Sequence, residues 1–124
     1  MKRVLTVCII IIILVITSDI FIKRKIFDSF DYMTSMLNAI NEEIDVEKKN
    51  KQIEQLNMYL KNKYLLMAFY IDHVEIEKIK TQIVVIEAGI EKEDDDFVHE
   101  EIKRTIFIID HLKAKIDFKL ENIL

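Results

Sequence analysis

Residues 4–22 read VLTVCIIIIILVITSDIFI, a nearly unbroken apolar run with Lys2–Arg3 before it and Lys23–Arg24–Lys25 after it. As an α-helix this run is about 29 Å long, close to the roughly 30 Å hydrocarbon thickness of a bilayer. The sequence therefore predicts a transmembrane helix that binds the lipid bilayer through residues 4–22. We expect a single-pass protein of the cell membrane.

A cleaved secretory signal also begins with a basic start and an apolar core, but it ends in small residues that this run lacks after Thr17. A lipoprotein signal fails because Cys8 precedes most of the apolar core. Retention as a signal anchor is thus the favoured interpretation. Lysine and arginine lie on both flanks, so charge alone leaves the orientation open. The shape of a signal anchor predicts that the rest of the chain lies outside the cytoplasm.

Residues 26–124 follow the anchor region, residues 1–25, and are enough for one small domain. They carry 13 basic and 21 acidic residues, a net charge of −8. Phosphate backbones repel such an acidic surface, so we expect no nucleic-acid partner. The only cysteine is Cys8, inside the apolar run, so this domain forms no internal disulfide.

The chain has no proline and one glycine, Gly89, which favours long helices over a β-rich fold. Apolar residues recur at steps of three and four, the spacing of a helix face. The fold class predicted is all-α, with the transmembrane helix followed by about four amphipathic helices. Their apolar faces comprise Phe30, Met33, Leu37, Ile40 and Ile44; Ile53, Leu56, Leu60, Tyr64 and Met67; Ile76, Ile79, Ile83, Ile86 and Ile90; and Val98, Ile102, Thr105, Ile109, Leu112 and Ile116.

Acidic residues mark the predicted helix starts. Asp45 is placed to cap a helix that begins at Val46, and Asp72 with Glu75 has the spacing of a capping box. Asp94–Asp96 stand where the last helix begins, and the helix dipole favours negative charge there. An antiparallel bundle is favoured over stacked helical hairpins. The hairpin alternative rests on two similar transitions, residues 37–45 and 86–94, in which a helix end runs into acidic residues.

Residues that suggest chemistry do not form a complete motif. Glu91–Asp96 lacks the alternating oxygen ligands and central glycine of a calcium loop. Asp96 and His99 have the acid-x-x-His step of di-iron bundles, but the second pair is missing, and His111 lies about 120° around the helix from His99. His73 is an exposed helix-start residue in this interpretation. We expect no enzyme and no catalytic, cofactor-binding or metal-binding residues.

Residues 64–71, YLLMAFYI, are the most unusual stretch after the anchor, because eight residues pass without a charge. They are too few to span a bilayer. They form either the enclosed end of the second helix or a sticky surface for a partner or the membrane. The ending, residues 118–124, leaves a similar choice between folding back on the bundle and binding another protein.

The chain combines a basic start, a single anchor, the IDHVEI junction at residues 71–76 and the LENIL ending at residues 120–124. With these features it resembles a family of small, single-pass, N-terminally anchored helical proteins of clostridia and related Gram-positive bacteria that is classed as a domain of unknown function. It implies a bacterial envelope setting and an outward orientation, and it implies no activity.

Two functions remain for a chain of this kind. The first is a membrane-anchored, non-enzymatic interaction module, a scaffold or accessory subunit with a protein partner in the membrane or envelope. The alternative is an extracytoplasmic sensor or ligand-binding domain, which a cleft lined by Tyr64, Phe69 and Tyr70 would favour.

Overall fold

The computed structural model describes the backbone of residues 1–123 and the side chains of residues 1–117. Four helices follow one another: α1 (Lys2–Glu42), α2 (Val46–Ala68), α3 (His73–Glu91) and α4 (Asp95–Ile123). No strand occurs among the described residues. The prediction of an all-α fold is confirmed. The prediction for the ending, that residues 118–124 fold back on the bundle or bind another protein, concerns side chains outside those that the structure describes.

The helices form an up-and-down antiparallel bundle. Contacts join α1 to α2, α2 to α3, α3 to α4 and α4 back to α1. Each helix therefore packs against two neighbours in a closed ring, as expected for short connections between antiparallel helices. The bundle is confirmed over stacked hairpins.

The first amphipathic segment is continuous with the apolar N-terminal run. α1 contains 41 residues and is about 62 Å long. Residues 1–18 are all exposed, and the buried face of α1 begins with Lys23 and Ile26. The N-terminal part is long and apolar enough to cross a membrane. No break or linker separates it from the bundle, so the position between residues 25 and 26 lies inside a helix.

The core consists of the apolar faces that the spacing predicted. All predicted positions are buried except two: Tyr64 is half-buried and Ile44 is 92% exposed. The prediction for Ile44 is wrong because α1 ends at Glu42, which places Ile44 in the connection to α2. Ile26 and Ile71 extend the core towards the end of the bundle nearest the apolar run.

The predicted caps are correct at two of three helix starts. The Asp45 carboxylate accepts from the Glu47 backbone N–H at 3.2 Å, and the Asp94 carboxylate accepts from Phe97 at the same distance. Asp72 occupies the N-cap of α3, but its side chain makes no capping hydrogen bond. The capping box with Glu75 is therefore not formed, and only the helix start was predicted correctly.

The end of α3 turns through a residue with a left-handed backbone. Glu93 has φ 55°, while the Glu93 N–H donates to the Ile90 carbonyl and the Asp94 N–H to the Gly89 carbonyl. This pair of bonds is a Schellman motif, in which the left-handed position usually holds glycine. Gly89 itself lies against α4, where an added Cβ would stand 2.9 Å from Val98 Cγ2. Its role in close helix packing is thereby explained.

Replacing Glu93 with glycine should stabilise the bundle. A Cβ in the left-handed region costs about 1–2 kcal/mol. About 0.4–1 kcal/mol of this gain is lost, because glycine gives the unfolded chain more conformational freedom. We expect the free energy of unfolding of the full chain, measured by urea denaturation in detergent micelles, to rise by about 0.5–1 kcal/mol. E93Q is the control, because it removes the same charge and keeps the Cβ. A gain in E93Q equal to that in E93G would show that charge, not backbone strain, is responsible.

Candidate functional site

Three side chains meet where the apolar run enters the bundle. Lys23 Nζ lies 3.0 Å from Asp19 Oδ2, one helical turn earlier in α1. The Tyr70 hydroxyl, from the α2–α3 connection, donates to Asp19 Oδ1, and Lys23 Nζ lies 5.2 Å from the centre of the Tyr70 ring. We call Asp19, Lys23 and Tyr70 the junction cluster.

The junction cluster satisfies a lysine that is almost fully enclosed. Only 4% of Lys23 is exposed, whereas the Asp19 side chain is 38% exposed. A buried ammonium group needs an opposite charge and hydrogen-bond partners, since its desolvation costs several kcal/mol. Asp19 supplies the charge, and the face of the Tyr70 ring adds a cation–π contact. The cluster thus binds the α2–α3 connection to the middle of α1.

The charge-free stretch at residues 64–71 is partly enclosed and partly exposed. Met67 and Ile71 belong to the core, whereas Leu65 is 78% and Phe69 72% exposed. Both interpretations of this stretch therefore describe part of it: one side completes the core and the other presents large apolar side chains at the surface.

A cleft of about 600 Å³ lies between the α2–α3 connection and α4. Tyr70, Ile71, His111, Leu112, Lys115 and Ile116 are among the residues that line it. Of the three aromatic residues expected around a cleft, only Tyr70 lines this one. Phe69 faces outward, and Tyr64 bonds with His73 through its hydroxyl. The walls combine aliphatic side chains with four charged or polar groups: the carboxylates of Asp72 and Glu75, the His111 ring and the Lys115 ammonium. The Lys115 ammonium lies 3.8 Å from Glu75 Oε1, so the two charges are paired.

The opposite end of the bundle carries a polar group of side chains. Lys49 Nζ contacts Asp95 Oδ1 at 3.0 Å, and His99 Nδ1 lies 2.8 Å from Asn41 Oδ1. These contacts join α2 to α4 and α1 to α4. Lys49 is only 8% exposed, so the Asp95 carboxylate supplies the opposite charge that a nearly buried ammonium group needs.

The histidines singled out from the sequence do not converge. His73, His99 and His111 are all exposed and lie in different places, and Asp96 is exposed as well. The acid-x-x-His step therefore does not face the inside of the bundle. Within the described part of the chain, no group of three His, Cys, Asp or Glu side chains is arranged to hold a metal ion.

Sequence reasoning missed the junction cluster. Asp19 was the one charge inside the apolar run, and its spacing of four from Lys23 was a usable signal for an ion pair along one helix face. The participation of Tyr70 had no such signal, because 51 residues separate it from Asp19.

A family model described as Domain of unknown function (DUF4363) matches residues 20–123 of the chain. No curated protein and no solved structure matches the chain. The matched region begins one residue after Asp19 and leaves out most of the apolar run.

Replacing Tyr70 with phenylalanine should weaken the bundle at its junction with the apolar run. Hydrogen bonds to charged groups contribute about 1.5–3 kcal/mol, and Asp19 keeps Lys23 as a partner in the variant. We expect the free energy of unfolding, measured in detergent micelles, to fall by about 1–2 kcal/mol. Y32F is the control. The Tyr32 ring packs against Tyr59, and its hydroxyl has no hydrogen bond among the described residues, so a loss below about 0.5 kcal/mol is expected. Equal losses in Y70F and Y32F would argue against a stabilising junction cluster.

Proposed function

This chain belongs to the DUF4363 family, and from that premise we propose that it is a membrane-anchored, non-enzymatic helical interaction module. In this role the N-terminal helix holds the acidic bundle at the membrane, where the bundle serves as a scaffold or accessory subunit for a protein partner. The domain lies outside the cytoplasm of a bacterial cell in this proposal.

The observation that carries the proposal is the continuity of α1. Residues 2–18 of α1 are exposed and mostly apolar, and its remainder supplies one of the four core faces. A cleaved signal would have no need of packing into the mature domain. Here Asp19 and Lys23, at the end of the apolar run, are bonded to the bundle through Tyr70, which supports a retained helix.

The chemistry of the bundle favours binding over catalysis. Its exposed histidines and carboxylates are spread over separate surfaces, and reaction chemistry needs such groups to converge. In contrast, a large apolar side chain, Phe107, is exposed on the outer face of α4. Such a side chain supplies contact area for a partner.

Photo-crosslinking in native membranes tests this role. A photo-reactive residue placed at Phe107 should capture a specific protein, seen as a discrete heavier band and identified by mass spectrometry. The same residue placed at Met58, on the opposite side of the bundle, serves as the matched control, because a defined binding surface involves one face.

Two results would contradict the proposal. One is recovery of only the monomer from both positions while a known membrane complex is captured in parallel. The other is release of the full chain from membranes by alkaline carbonate, since this would remove the anchor on which the proposal depends.

The second candidate function is an extracytoplasmic sensor or ligand-binding domain. The cleft beside Tyr70 favours it, because a volume of about 600 Å³ falls in the range of small-molecule sites, roughly 300–1,000 Å³. Its aliphatic side chains suit an apolar molecule, and its paired charges, Lys115 with Glu75, offer both hydrogen-bond donors and acceptors.

A sidedness measurement separates these possibilities further. A reporter that is active only outside the cytoplasm, fused after Leu124, should give signal in a Gram-positive host, while a matched cytoplasmic reporter stays inactive. The signal-anchor shape of residues 1–25 supports this outcome. The reverse pattern would exclude the extracytoplasmic sensor and would move the interaction module to the cytoplasmic face.

A further inference from the structure

We propose that the last turn of α2 and the α2–α3 connection form a membrane-interface segment, in which Leu65 and Phe69 insert into the boundary between lipid headgroups and acyl chains. The inference rests on the proposed anchoring of residues 4–22 and concerns a second, separate contact with lipid. Its occupant is the bilayer that holds the anchor.

The height of this connection follows from the junction cluster. Tyr70 bonds to Asp19, which lies inside the apolar run and one helical turn before its end at Ile22. A run of 19 residues is about 29 Å long, so it fills a hydrocarbon core of about 30 Å with little to spare. Asp19 therefore lies at the edge of the hydrocarbon, and the connection bonded to it lies at the same depth.

The side chains exposed at this depth suit the interface. Phe69 is 72% exposed, and Leu65, one turn earlier on the same face of α2, is 78% exposed. Tyr70 has its ring beside the Lys23 ammonium and its hydroxyl bonded to Asp19, which is the amphipathic placement typical of membrane-interface aromatics. Arg24 and Lys25 are exposed just beyond, where long cationic side chains reach the headgroups.

The distribution of charge along the bundle agrees with this placement. Contacts of Asp31 with Lys113, Tyr32 with Tyr59 and Glu75 with Lys115 mark one level across the bundle. The far part, residues 32–58 and 77–112, carries 8 basic and 15 acidic residues. The near part, residues 19–31, 59–76 and 113–117, carries 7 basic and 6 acidic residues. The excess negative charge is thus kept away from the headgroups, and the near end can approach them without strong repulsion.

The lack of tryptophan in the chain provides a sharp test. Three single-tryptophan variants of the full chain are compared in phosphatidylcholine vesicles with and without bromine on the acyl chains. The bromine quenches the fluorescence of a tryptophan only when the indole ring lies next to the acyl chains. F69W probes the connection and F21W probes the spanning segment. F107W is the matched control, because Phe107 is also 72% exposed but lies more than about 20 Å farther along the bundle from Asp19.

We expect F69W to be quenched by brominated lipid several-fold more than F107W and to emit at shorter wavelength. F107W should instead be quenched by acrylamide in the water phase. Far-UV circular dichroism checks that the three variants have equal helix content. Phe69 and Phe107 are both 72% exposed, so each position accepts the larger ring.

The possible failures are distinguishable. If F21W is quenched by lipid and F69W behaves like F107W, the interface segment is wrong and the anchor stands. If F21W also escapes lipid quenching, the anchoring itself fails. Short-wavelength emission from F69W without lipid quenching would mean that protein, such as a second copy of the chain, covers Phe69, and would overturn the proposal.

Discussion

Burial of one apolar stripe on each helix is the interaction on which the whole bundle depends. The core is dominated by isoleucine, with Phe30, Met33 and several leucines filling the remainder. A fully buried side chain of this size contributes about 1.5–3 kcal/mol, whereas the ion pairs between exposed residues contribute at most about 1 kcal/mol each. The stripes therefore determine which helices meet, and exposed polar contacts such as His99–Asn41 refine their ends.

The junction cluster occurs where this core meets the apolar run. After the cluster in the sequence, α1 is amphipathic and packs against α2 and α4. Before the cluster, α1 is apolar on all sides and exposed. Lys23 is buried on the side that faces the bundle, so it needs Asp19 and Tyr70 as partners. The two parts of α1 therefore have different surroundings, and the Asp19–Lys23 ion pair lies at the boundary between them.

Much of the fold could be predicted from local pattern alone. Spacing of three and four identified the core of each helix, and Asp45 and Asp94 identified helix starts, because both signals depend on neighbours in the sequence. Ile44 followed the same spacing and was wrong, since spacing does not reveal where α1 ends. The bond between Asp19 and Tyr70 and the cleft beside it depend on how distant segments pack, and no local pattern encodes them.

The uninterrupted course of α1 also has a mechanical consequence. No proline, glycine or loop separates the two parts of α1, so the helix is rigid there. The apolar run and the bundle must therefore rotate together. Transmembrane helices tilt by about 20° on average and adjust that tilt to bilayer thickness. A rotation of that size about the junction would swing the far end of the bundle, about 30 Å away, sideways by about 10 Å. In the proposed membrane-anchored state, the thickness of the bilayer would thereby set the direction in which the acidic end points.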